Sequence, residues 1–149
     1  MHPRITRRLE VDFGHRLLKH EGKCRNYHGH RAAIEFTVEA PGLDDVGRVV
    51  DFSVVKALVG GWLDEHLDHG MVLQRGDPMI AELVRLGNEE TKTSPIGVTY
   101  EYARPPGSPP GTPTVIVHQS SPKLWVIDVP PTSEHLAKLL HHKAQELLP

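Results

Sequence analysis

The chain has 149 residues, 24% charged and 38% hydrophobic, a mixture suited to one globular domain whose core needs neither a disulfide nor a structural metal. Seventeen Lys and Arg against 19 Asp and Glu leave a net charge of -2, without the basic footprint of a nucleic-acid binder. No apolar run reaches the roughly 18 residues of a membrane span, and Met1 to Arg8 lacks the apolar core of a signal peptide, so the expected compartment is the cytoplasm. The single cysteine, Cys24, excludes an internal disulfide, while eleven histidines stand out.

From Arg4 to Val11, the residues Ile5, Leu9 and Val11 alternate with Thr6, Arg8 and Glu10 with one slip, which predicts a half-buried strand. After the polar stretch Lys19 to Asn26, alternation resumes over Gly29 to Ala40, with Ala32, Ile34, Phe36 and Val38 on one face. Pro41-Gly42 ends this second strand, the turn-rich Gly42 to Gly47 leads to Val49-Val50, and antiparallel pairing with a neighbour is the economical arrangement. With Asp51 or Ser53 as N-cap, Val54, Val55, Leu58, Val59, Trp62, Leu63 and His66 recur at helical steps despite Gly60-Gly61, so a helix ends near His66. Met79 to Leu86 predicts a short helix with Gly87 as its C-terminal glycine. Thr132 caps a final helix carrying Leu136, Leu139, Leu140, Ala144, Leu147 and Leu148, with Glu134 in its first turn.

Between these helices the composition changes. Eight of the 13 prolines fall between Pro105 and Pro131, and Arg104 to Pro113 reads as an extended loop. Strand-like runs at Val98 to Tyr102, Thr114 to His118 and Leu124 to Val129 flank it. The expected organisation is a single domain, 1–149, with a Pro-rich insertion at about 76–130.

Cys24-Arg25-Asn26-Tyr27-His28-Gly29-His30 carries the first chemical signal. In a strand, residues i and i+2 share a face, so His28 and His30 offer two imidazoles to one ion, and Gly29 between them adds no side chain. His15, at the end of the preceding strand, supplies a third if the two strands pair side by side. Three neutral imidazoles leave one tetrahedral position open, as in catalytic zinc sites; the competing reading is three hydrogen-bonded surface histidines. Leu67-Asp68-His69 is the second signal, an imidazole beside a carboxylate that suits a general base, although Asp-His pairs also arise by chance at helix ends. Cys24 is the third, either a reactive thiol near a cation or an inert packing residue.

Taken in order, Phe13-Gly14-His15-Arg16-Leu17, Gly22-Lys23-Cys24 with His28-Gly29-His30, Val50-Asp51-Phe52, Leu67-Asp68-His69 and Pro131-Thr132-Ser133-Glu134 resemble the 6-pyruvoyltetrahydropterin synthase / 6-carboxytetrahydropterin synthase family. Cys-x-x-x-His-Gly-His is the most specific of these motifs. The likeness covers about Leu9 to Leu73 and Pro131 to Leu148, and is greater to the compact bacterial members that serve 7-deazapurine (queuosine) biosynthesis. It implies an α+β tunnelling fold, an antiparallel β-sheet with two main helices on one face, assembled as a homo-oligomer, usually a hexamer, with sites between subunits.

The same resemblance implies roles. His15, His28 and His30 would bind zinc, which would coordinate the side-chain hydroxyls of 7,8-dihydroneopterin triphosphate; Cys24 would remove a side-chain proton; His69, held by Asp68, would shuttle protons. Thr132 and Glu134 lie at the pterin-facing helix start, and both also suffice as a helix cap with no ligand. The implied activity is a zinc-dependent lyase forming 6-carboxy-5,6,7,8-tetrahydropterin. Its rivals are 6-pyruvoyltetrahydropterin synthase activity and a non-catalytic zinc- and pterin-binding protein. The implied partner is a small-molecule pterin triphosphate, with neither nucleic acid nor membrane expected. Three departures stand out: Gly14 where Ala is usual, which should be harmless; His135 where Asn is usual; and no strands after the final helix, where the family carries a pterin-gripping glutamate. Either the sequence is truncated, or the strands between Val98 and Val129 complete the sheet, with Glu101 as a candidate carboxylate.

Overall fold

Two long strands, β1 (Arg4–His15) and β2 (His28–Glu39), pair antiparallel from Arg4↔Glu39 to His15↔His28 without interruption. The slip in the β1 pattern is no bulge: Arg7 occupies an inward position, and burial alternates along the strand to Val11, Phe13 and His15. The inward face of β2 carries Ala32, Ile34, Phe36 and Val38, opposite Val11, Leu9, Arg7 and Ile5. The computed structural model describes residues 1–93, 99–100, 116–118 and 123–149, with side chains described for 1–86 and 123–149.

Asp51 caps the first helical segment, its carboxylate accepting the Ser53 amide. Helix α1 (Phe52–Val55) passes through a π-helical turn, Lys56–Gly60, into α2 (Gly61–His66). The expected helix is therefore continuous but widened where Gly60-Gly61 gives the backbone least resistance. Strand β3 (Gly70–Gln74), which periodicity did not predict, follows directly. Helix α3 (Pro78–Thr93) runs past Gly87, so that glycine does not end it. One interior glycine costs a helix only about 1 kcal/mol, and Glu89, Glu90 and Lys92 beyond it are good helix formers. Strands β4 (Thr99–Tyr100), β5 (Ile116–His118) and β6 (Leu124–Ile127) precede α4 (Ser133–Leu147). The expected loop Arg104 to Pro113, and Glu101, lie outside the described residues.

The six strands form one sheet in the order β2-β1-β3-β6-β5-β4. The α+β sheet-and-helix class expected from the resemblance is what the chain adopts, and the strands after α3 extend its sheet. In detail the pairing is mixed: β1–β2, β4–β5 and β5–β6 are antiparallel, while β1–β3 and β3–β6 are parallel. Parallel neighbours need a crossover connection, which the α1–α2 segment supplies before β3 and the segment containing α3 supplies before β6.

The main core lies on the face covered by α2 and α4, where Val11, Phe13, Phe36, Val59, Trp62, Leu63, Val72, Trp125, Leu136 and Leu140 meet. Trp62 and Trp125 cross edge to face with ring centroids 5.5 Å apart. On the opposite face Leu73, Leu124 and Val126 pack with Met79, Ile80 and Leu83 of α3. Val72 and Leu73 thus point to opposite layers, which is why β3 reads as a short unbroken apolar run. Among the described residues no helix is long and apolar enough to cross a membrane.

Candidate metal centre and acid–base dyad

The β1–β2 register brings His15 opposite His28 and Phe13 opposite His30, so three imidazoles share the core-facing side at the end of the hairpin. Their ring centroids form a near-equilateral triangle of 4.7, 4.9 and 5.0 Å. One nitrogen from each lies within 4.8 Å of the others. His15 is 8% exposed and sits on the edge of the Phe13 ring.

Hydrogen bonds fix which nitrogens are available. The His15 Nδ1–H donates to the Pro131 carbonyl at 2.7 Å, and the His28 Nδ1–H to the Asn26 carbonyl at 2.7 Å, leaving both Nε2 lone pairs unprotonated. His28 Nε2 is buried and has no hydrogen-bond partner, an unsatisfied acceptor that a cation would satisfy. Burial holds the His15 imidazole below the usual histidine pKa, opposed by the Pro131 hydrogen bond and aided by the neighbouring imidazoles. Three imidazoles, two of them oriented through the far ring nitrogen, fit a divalent zinc-type ion.

The second group is built on the turn between α2 and β3. His69 Nδ1–H donates to Asp68 Oδ2 at 2.6 Å, while Asp68 Oδ1 accepts the Asp12 amide at 2.8 Å. Burial pushes the Asp68 carboxyl upward, but the Asp12 amide, His69 and Lys123 outweigh it and hold it below the ordinary carboxylate range. With Nδ1–H on Asp68, Nε2 is the remaining ring nitrogen of His69, on a side chain 76% exposed. The His69 backbone has φ +57°, a left-handed conformation disfavoured for any residue but glycine, and its amide donates to the Asp12 carbonyl at 2.6 Å.

A cleft of about 610 Å³ is lined in part by Asp12, His28, His30, Arg31, His69 and Met71. The structure thus gathers His15, His28 and His30, and brings His69 of the Asp68–His69 pair to the same cleft as His28 and His30. Among the described residues no hydrogen bond or ion pair joins the two groups or reaches the Cys24 thiol. Cys24 lies half-buried on a single 3₁₀ turn, Lys23–Arg25, and does not line that cleft. Thr132 is the N-cap of α4, its hydroxyl accepting the His135 amide at 3.3 Å. Glu134 is exposed in the first turn, its carboxyl held low by its own backbone amide and the Thr132 hydroxyl. The residue before Thr132 supplies the carbonyl that orients His15, so the start of α4 abuts the histidine triangle.

Residues beside the motifs form a network that periodicity did not reveal. Arg16 grips the buried Asp77 in a two-pronged pair, both contacts 2.6 Å, and stacks over Tyr27 at 4.2 Å. The Tyr27 hydroxyl and the Met79 amide also donate to Asp77 Oδ1. The loop between His15 and His28 is thereby tied at both ends to the start of α3. Asp77-Pro78 is a helix-start signature that would have placed Asp77, though not its partners.

Gly14 has its own reason. A Cβ there would lie 2.4 Å from Met71 Sδ, so glycine leaves room for the Met71 thioether.

Comparison with known proteins gives matches along the chain. Residues 4–149 match the family described as 6-pyruvoyl tetrahydropterin synthase. A 6-carboxy-5,6,7,8-tetrahydropterin synthase of Rickettsia bellii is 44% identical over 81 residues, which span 54% of this chain and 59% of that protein. A probable 6-carboxy-5,6,7,8-tetrahydropterin synthase of Halobacterium salinarum is 30% identical over the whole chain, covering 74% of its own length. The crystal structure of an uncharacterized protein from Wolinella succinogenes superposes with a TM-score of 0.65 over 94% of this chain and 81% of that one, at 20% identity, a likeness of fold.

Proposed function

Because the chain belongs to the 6-pyruvoyl tetrahydropterin synthase family, we propose that it is a zinc-dependent lyase that converts 7,8-dihydroneopterin triphosphate to 6-carboxy-5,6,7,8-tetrahydropterin. The observation that carries this reading is the histidine triangle, with two imidazoles oriented through Nδ1 and a buried His28 Nε2 aimed into it. His15, His28 and His30 would hold the ion. When bound there, zinc would supply Lewis-acid polarisation of a substrate hydroxyl and the adjoining C–H bond.

The chain's own groups would move the protons. His69, with Nδ1–H fixed on Asp68, offers Nε2 as acceptor and, once protonated, as donor; Asp68 stabilises the resulting imidazolium. Cys24 is the proposed base for the side-chain proton. Thr132 and Glu134 would face the pterin from the start of α4, Thr132 while capping it. His69 shares one cleft with His28 and His30, whereas Cys24 does not line it, and this supports a homo-oligomer in which a neighbouring subunit completes each site. The same reading places the protein in the cytoplasm, in the supply of a 7-deazapurine precursor.

Incubation of the zinc-loaded protein with 7,8-dihydroneopterin triphosphate, followed by mass identification of products, is the decisive experiment. A 6-carboxy product with loss of triphosphate supports the reading. A 6-pyruvoyl product would assign the sister activity, and no turnover with retained zinc would leave a binding protein.

A further inference from the structure

Lys123 stands immediately before β6, and its ammonium donates to two backbone carbonyls, that of Asp64 at 2.6 Å and that of Asp68 at 2.5 Å. The first belongs to α2, the second to the residue that orients His69. To reach them the lysine stem crosses Gly70, where a Cβ would lie 3.2 Å from both Cγ and Cδ of Lys123. The Lys123 carbonyl also accepts the Met71 amide at 2.9 Å. One residue therefore clamps the turn on both sides of His69, at 68 through its side chain and at 71 through its backbone.

What lies between the clamps is the strained residue. His69 holds a positive φ that a free turn would relax, and its imidazole is mostly exposed, with Asp68 as its hydrogen-bond partner. Asp68 keeps its orientation because its Oδ1 is held by Asp12 and its carbonyl by Lys123. We propose that Lys123 is a positioning residue for the Asp68–His69 dyad, holding the left-handed turn so that the neutral imidazole carries its proton on Nδ1 and presents Nε2 outward. This rests on the reading of His69 as the proton-transfer group. A lysine at a helix end commonly caps carbonyls for stability alone; here one of the two carbonyls belongs to the residue that orients the base.

The test uses the zinc-loaded protein with Lys123→Met and Lys123→Arg, read by histidine nitrogen–proton NMR, zinc content and steady-state kinetics. In K123M the single Nδ1–H tautomer of His69 should give way to a mixture. Its kcat should fall roughly ten- to a hundredfold, the scale of a misplaced catalytic group, with KM and zinc content held. K123R, which keeps donors at the same place, should recover much of both. Should K123M not fold, Lys123→Gln, whose amide stops short of the two carbonyls, carries the same readouts. An unchanged His69 tautomer together with wild-type kcat in the folded variant overturns the proposal. A tautomer change in a protein that never turns over the pterin would keep Lys123 in its role and overturn the proposed reaction instead.

Discussion

His28 Nε2 defines the site at the scale of single residues, because a buried acceptor without a partner costs about 1–3 kcal/mol unless something occupies it. The expected outcome is that the wild-type protein carries one zinc per chain and that a His28→Ala, His30→Ala double variant loses it, measured by metal analysis after gel filtration. Full retention would return the triangle to a hydrogen-bonded histidine cluster. Cys24→Ala should keep zinc and fold while turnover drops by roughly 10²- to 10⁴-fold, the usual share of a general base; undiminished turnover would make Cys24 a packing residue. Asp77 gives a prediction about stability. Burial raises its carboxyl, but the Arg16 fork, the Met79 amide and the Tyr27 hydroxyl pull it below the ordinary range. Its folded pKa is therefore below the unfolded value near 3.9, so the unfolded chain takes up the proton first on acidification. The stabilisation is complete above about pH 5 and is lost as the pH falls towards the folded pKa. Asp77→Asn should cost about 1.5–3 kcal/mol at neutral pH and flatten the acid limb of the stability curve, read by urea unfolding from pH 3 to 7.

At the scale of elements, α4 couples packing to the site, since the backbone just before its cap orients His15. Thr132→Ala removes the hydroxyl that accepts the His135 amide and should cost about 1 kcal/mol in thermal unfolding. If the helix start then loosens, zinc affinity in a chelator competition should fall by about tenfold or less, whereas an unchanged affinity would show the Pro131 carbonyl to be held independently of the cap. The same scale shows what sequence can reveal. The two strands were legible from period-two alternation despite the slip at Arg7, whereas the histidine triangle hung on their pairing side by side, which the register supplies. Strand β3 was not, because Met71-Val72-Leu73 buries both faces and a three-residue apolar run has no period of its own. Helix α3 outran its glycine because propensity is a weak stop signal. The Arg16–Asp77 and Lys123–Asp68 contacts bridge 61 and 55 positions, distances at which local pattern says nothing about proximity.

For the whole molecule, the arrangement of the sheet argues for assembly. Strand β2 is an edge twelve residues long, with one row of amides and carbonyls that no strand pairs among the described residues. Soluble proteins blunt such an edge or pair it. Charged residues do not interrupt its core-facing side, and a groove of about 620 Å³ runs beside it between Ile34, Phe36 and Val38 and Leu140 and Ala144 of α4 with Leu148 just beyond its end. Arg31 points the other way, towards Glu10 on the neighbouring strand, while Glu35 and Glu39 stand at the groove's margin. The chemistry bears on the same question through Cys24, which lies outside the cleft that His28, His30 and His69 share. The expected outcome is a mass several times that of the 149-residue chain in size-exclusion chromatography with light scattering. A Val38→Glu substitution, at a half-buried position of the groove, should shift it towards monomer and depress turnover, with zinc content preserved. A monomeric wild type with full turnover would require Cys24 to reach the cleft of His28, His30 and His69 inside a single chain, and would overturn the shared site.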